Sequence, residues 1–119
     1  MDQQTKITMK ELADAIMAVY DAYEQSGRTR MKTADDLRTT EMDLEATQDA
    51  ILLDPDGPID GKNAEIRAAQ LRARTEDQYL GYLAAKNRYQ QAVMDYELRY
   101  ELLRTMRCLS SIHSGTSHA

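Results

Sequence analysis

Few residues in this 119-residue chain are of the types that do covalent or metal chemistry. Cys108 is the only cysteine, and His113 and His118 are the only histidines, both within "SIHSGTSHA" at the end of the chain. A thiol becomes a nucleophile where a base or positive cluster holds it as thiolate. No histidine or basic cluster is spaced to do that for Cys108, so it is expected to serve as packing near the end of a leucine-rich helix. His113 and His118 are expected in a solvated polar tail. Carboxylates are numerous, but the Glu-x-x-His pair of di-iron bundles is absent, as are zinc spacings and a glycine-rich phosphate loop. Asp54, Asp56 and Asp60 have the chemistry of calcium ligands. Asp54 to Glu65 even spans the twelve positions of an EF-hand loop. That loop needs glycine at its sixth place, where Ile59 stands, and Pro58 and Asp60 break its ligand pattern. The expectation is a non-enzymatic protein with no metal and no cofactor.

Two further sets of side chains could bind rather than react. Seven tyrosines are the only aromatic residues, and tyrosines can form a platform on which nucleic-acid bases stack. Their helical spacing instead reads as core. Arg28, Arg30 and Lys32, with Arg38, form one basic group; Lys62, Arg67 and Arg74, with Arg72, form another. Arg28, Arg30, Lys32, Lys62, Arg67 and Arg74 are the candidate contacts for a single-stranded nucleic acid. Asp35, Asp36, Glu41 and Glu65 are interspersed, however, and the formal net charge is -5. A solvated face of mixed sign is the ordinary reading of that pattern.

The elements that would carry these residues are helices. At "ITMKEL" Thr8 can cap a helix with Glu11 three residues on, and Ile7 and Leu12 are placed as a hydrophobic staple. Met9, Ile16, Tyr23, Leu37, Leu44 and Ile51 then share one heptad position. Because that phase survives "SGRTRMKT", one helix over 9–53 is expected, with Gly27 the point at which it could kink or split. "DPDGPIDG" at 54–61 supplies Pro55 and Pro58, which lack the amide a helix needs, and Gly57 and Gly61, which tolerate positive φ. It is expected to turn the chain into a second helix over 62–110, followed by a flexible tail at 111–119. The fold class is all-α: an antiparallel two-helix hairpin, one domain over 1–110, assembling into an oligomeric helical bundle.

The second helix carries two apolar stripes on roughly opposite sides. One includes Leu71, Tyr79, Tyr82, Tyr89, Val93, Tyr96, Tyr100 and Leu103. The other includes Ile66, Leu80, Leu83, Met94, Leu98, Leu102, Met106 and Leu109, interrupted by Asn87 and Gln91. Asp95 and Arg99 are spaced for an i,i+4 ion pair. If positions summing to about 115 face each other in the hairpin, Val19 meets Tyr96, Leu44 meets Leu71 and Thr33 meets Tyr82. Ser26, Thr33 and Thr40 would then lie near the tyrosines and supply hydroxyl partners. The tyrosine stripe is therefore expected inside. Leu80, Leu83, Met94, Leu98, Leu102, Met106 and Leu109 are left as an oligomer interface, since so large an apolar strip needs cover.

"DGKNAEIRAAQL" and the downstream "YLAAKNRYQQAVMDYELRYELLRTMRCL" resemble small helical proteins of phages and prophages over about residues 55–110. What the resemblance implies is a phage accessory protein, in some cases near recombination or single-strand-annealing functions. It transfers no catalytic residue. The expected partners are further copies of this chain, a host or phage protein, and single-stranded nucleic acid. The alternative is an anti-defence protein that binds a host complex or sequesters a signalling nucleotide. No stretch has the length of a membrane span, so the expected location is the cytoplasm.

Overall fold

The computed structural model describes residues 7–118, with side chains over residues 7–112. The chain is all-α: α1 spans Met9–Leu52, α2 Ala64–Arg74 and α3 Glu76–His118, with no strand among the described residues. The start of α1 follows its capping signal. Thr8 Oγ1 accepts from the Glu11 amide at 3.0 Å, and the Thr8 carbonyl accepts from Leu12 at 3.0 Å. The helix runs unbroken through Gly27, where one interior glycine costs only about 1 kcal/mol. Its half-buried residues keep the heptad: Ile16, Tyr23, Leu37, Leu44 and Ile51, with Leu12, Val19, Thr33, Thr40 and Thr47 three positions on from the same phase.

Residues 53–63 end one helix and start the next. Asp54 Oδ1 accepts from the Asp56 amide at 2.9 Å, an aspartate turn of the kind that stops helices. Asn63 caps α2, its Oδ1 accepting from Ile66 N at 2.9 Å. The glycines of this turn do not serve as the sequence suggests, because no described residue has positive φ. Gly61 is required for space instead. A Cβ there would lie 2.6 Å from Ile66 Cγ2 and 3.1 Å from the Arg67 amide nitrogen.

The second helical stretch differs from the single helix expected over 62–110. It is divided at Thr75, whose ψ of 23° leaves the helical region. Thr75 is 1% exposed. Its hydroxyl donates back to the Leu71 carbonyl at 2.9 Å, and its own carbonyl accepts from Tyr79 at 2.8 Å. Threonine back-bonding of this kind bends helices. The flanking charges suit two helix ends: Arg72 and Arg74 close α2, while Glu76 and Asp77 open α3. The other difference is at the end of the chain, where α3 continues to His118 in place of a flexible tail from 111. No proline interrupts 111–118, and adding residues to an established helix is far easier than nucleating one. The side chains of His113 and His118 lie outside the described residues.

Contacts divide the chain into two compact units. The first joins 1–30 with 92–119 and the second covers 31–91. In the first unit the two helical segments run antiparallel. Tyr96 meets Tyr23 and Arg30, and Tyr100, further along α3, also meets Tyr23. The second unit contains the turn, and there Leu44 and Leu71 line one cavity with Gln48, Ala68 and Thr75.

Candidate functional site

The inward side of α3 is built on a seven-residue repeat. Tyr82, Tyr89 and Tyr96 are half-buried and Leu103 is buried; Ala85 and Ala92, three positions after the first two tyrosines, are also buried. Large and small residues alternate, so a facing helix can approach closely over each alanine. The two alanines escape a reading by hydrophobic stripe alone, but their heptad spacing from the tyrosines would have found them.

In the first unit this seam holds a tyrosine cluster. The hydroxyls of Tyr23 and Tyr96 are 2.7 Å apart, one donating to the other, with their ring centroids at 5.0 Å. The Arg30 guanidinium lies 4.9 Å from the Tyr96 centroid on the ring face, a cation–π geometry. The ring also lies against α1 at Gly27, where a Cβ would stand 3.4 Å from Tyr96 Cε2, an ordinary van der Waals contact. Tyr96 therefore covers Tyr23, Gly27 and Arg30 rather than the expected Val19. Helical side chains lean toward their own N-terminus, and in an antiparallel pair that carries the ring one turn up α1. The expected hydroxyl partners are corrected too: Ser26 Oγ donates to the Tyr23 carbonyl at 2.6 Å and Thr40 Oγ1 to that of Leu37 at 2.9 Å. The bond to Tyr96 raises the Tyr23 phenol above its ordinary pKa of 10.0, with desolvation adding to the effect. Tyr20 is raised chiefly by its hydrogen bond to the Glu24 carboxylate.

The outward side of α3 carries the residues read as an interface. Leu80 and Leu83, in the second unit, are exposed; in the first unit Met94, Leu98, Leu102 and Leu109 are exposed and Met106 is half-buried. Leu98 is 68% and Met94 63% exposed. Met94, Leu98, Glu97 and Glu101 line a shallow groove of about 320 Å³. Asp95 and Arg99 form the anticipated i,i+4 pair at 3.4 Å. Cys108 is exposed, against the expectation that it packs. It lies five residues past buried Leu103, a rotation of about 140° that turns it away from the seam.

The candidate nucleic-acid residues are held in different ways. Arg28 bonds Gln25 at 3.1 Å and lies 4.0 Å from Glu24; Arg30 stacks on Tyr96. Lys32 and Lys62 are exposed. Arg67 donates to the Gly61 carbonyl at 3.0 Å, and Arg74 to the carbonyls of Gly57 and Pro58. These two arginines clamp the turn, which explains their position after it. The aspartates are engaged there as well: Asp54 holds the Asp56 amide, and Asp60 accepts from Gln70 at 3.3 Å. Among the described residues no group of three or more His, Cys, Asp or Glu could hold a metal ion, and no helix is long and apolar enough to cross a membrane. No family model, curated protein or solved structure matches the chain.

Proposed function

We propose that this chain is a non-enzymatic, self-associating accessory protein of the phage type: an antiparallel helical hairpin held by its tyrosine seam and assembled into an oligomeric bundle through the outward face of α3. The observation that carries this reading is the exposure of Met94, Leu98, Leu102 and Leu109 on the side of α3 away from Tyr96 and Leu103. Soluble monomers rarely leave so large an apolar patch uncovered. Light scattering or native mass spectrometry tests it. The wild type should be oligomeric at micromolar concentration, and Leu98→Asp or Leu102→Asp should weaken association more than tenfold, because each buries a charge in every contact. Ser111→Ala should leave the oligomer intact. A monomeric wild type sinks the proposal.

Single-stranded DNA is the partner favoured for the assembled protein. Arg28, Lys32 and Lys62 project exposed along α1 and the turn, and an oligomer repeats them. Neutralising phosphates releases counterions, so binding should be salt-sensitive. Arg28→Ala, Lys32→Ala and Lys62→Ala together should weaken binding and flatten its salt dependence without changing oligomer size. A gel shift at low salt with no retardation at tens of micromolar protein would remove the DNA partner. A tight complex with a host defence protein or a cyclic nucleotide would favour the anti-defence alternative.

A further inference from the structure

The break at Thr75 lies beside a cavity of about 220 Å³ in the second unit, lined by α1, α2 and α3. Leu44, Gln48, Leu71 and Tyr79 are half-buried around it, while Ala68 and Arg72 are exposed at its rim. Most of the lining is apolar, and Arg72 is the only charged residue among those that form it. The Arg72 guanidinium is held over the Tyr79 ring, 5.8 Å from its centroid. Glu76 stands one turn along, at the spacing of an i,i+4 pair. Even so, neither the Arg72 guanidinium nor the Gln48 amide has a hydrogen-bond partner among the described residues. Apolar walls with a few placed polar groups are the make-up of a small-ligand pocket. A wider groove of about 460 Å³ shares Arg72 and Tyr79 with this cavity, but Glu76 lines it too, so its charges cancel.

We propose that the smaller cavity binds a small aromatic carboxylate, a single ring bearing one acid group. The charge of the ligand follows from Arg72, whose planar fork takes a carboxylate through two parallel hydrogen bonds. Gln48 adds an amide donor. The size follows from the volume. A cavity of about 150 Å³ holds benzene, so 220 Å³ leaves room for a ring with its acid group and excludes a nucleotide. The ring packs against Leu44, Ala68 and Leu71, walls that inorganic phosphate would leave uncovered. A rigid ring also has little conformational freedom to lose on binding, which favours it over a flexible acyl chain. This site is separate from the outward face of α3 and from the residues proposed to meet DNA, so it stands or falls independently of both.

Isothermal titration calorimetry of the full chain with benzoate tests the site. Benzoate should bind with a dissociation constant below about 1 mM, within reach of a ligand of so few atoms. Benzamide keeps the ring and loses the charge, so it should bind roughly tenfold more weakly, charge-assisted hydrogen bonds being the stronger kind. Arg72→Met keeps the length of the side chain without its fork, and should weaken benzoate by a similar factor. Ala68→Leu fills the cavity and should abolish binding, with circular dichroism confirming that the helices are intact. No binding of benzoate up to about 10 mM, where even a very weak site would begin to fill, overturns the proposal. Benzoate binding that both variants retain overturns it as well. Equal affinity for benzamide and benzoate does the same, and that comparison needs no variant, so it decides even where a substitution unfolds the chain.

Discussion

The hydroxyl pair of Tyr23 and Tyr96 is a direct polar contact between α1 and α3 in the first unit. Tyr23→Phe removes one partner and leaves the other half-buried hydroxyl without it, so the melting temperature should fall by a few degrees, a small loss because both rings remain partly solvated. The pair also makes stability depend on alkaline pH. The folded protein holds the Tyr23 proton above the ordinary pKa of 10.0, while the unfolded chain releases it near that value. Folding then binds more protons than unfolding between the two values, and stability falls as pH rises through that window. The contribution is complete below about pH 10 and disappears once pH passes the raised folded value. Thermal melts of wild type and Tyr23→Phe followed by far-ultraviolet circular dichroism over this range should converge as pH rises. Parallel curves at every pH would show that the hydroxyl pair does not hold the two helices.

At the scale of elements, two glycines of opposite kind provide a paired test. Gly81 lies in α3 with open space where a Cβ would stand, so Gly81→Ala should stabilise the helix by about 0.5–1 kcal/mol. Gly61→Ala should destabilise by about 1–3 kcal/mol as its methyl group meets Ile66 and the Arg67 backbone. Thermal denaturation of both variants should give shifts of opposite sign. The local signals were legible in the sequence. Thr8, the prolines of the turn and the unbroken heptad of α1 act through their own neighbours, and the structure places them as those neighbours dictate. The division at Thr75 was harder to see because an ordinary mid-helix threonine looks the same. Only "RARTEDQ", with bases before, acids after and Gln78 three residues on, marked two helix ends. The partner of Tyr96 is illegible for a different reason: pairing by backbone position ignores the lean of the side chain. The exposure of Cys108 is not legible either, because its leucine-rich context says nothing about which side of α3 it occupies. Arg67 and Arg74 hold carbonyls of the turn, a role that no local rule distinguishes in sequence from meeting a phosphate.

For the whole molecule, stability and assembly should be linked. If the outward face of α3 is covered only in the oligomer, mass action makes the melting temperature rise with protein concentration. Across a hundredfold dilution series the wild type should show a rise of several degrees, and Leu98→Asp should show none. A melting temperature independent of concentration in both would contradict an interface on that face. The tyrosine seam has one more consequence, which is optical. With no Trp or Phe in the chain, tyrosine is the only source of ultraviolet fluorescence. Tyr20, Tyr23, Tyr96 and Tyr100 belong to the first unit, and Tyr79, Tyr82 and Tyr89 to the second. Replacing either group with phenylalanine leaves tyrosine emission from the other unit alone. Each variant then reports the unfolding of one unit without an added dye, and comparing the two curves measures whether the units melt together or in sequence.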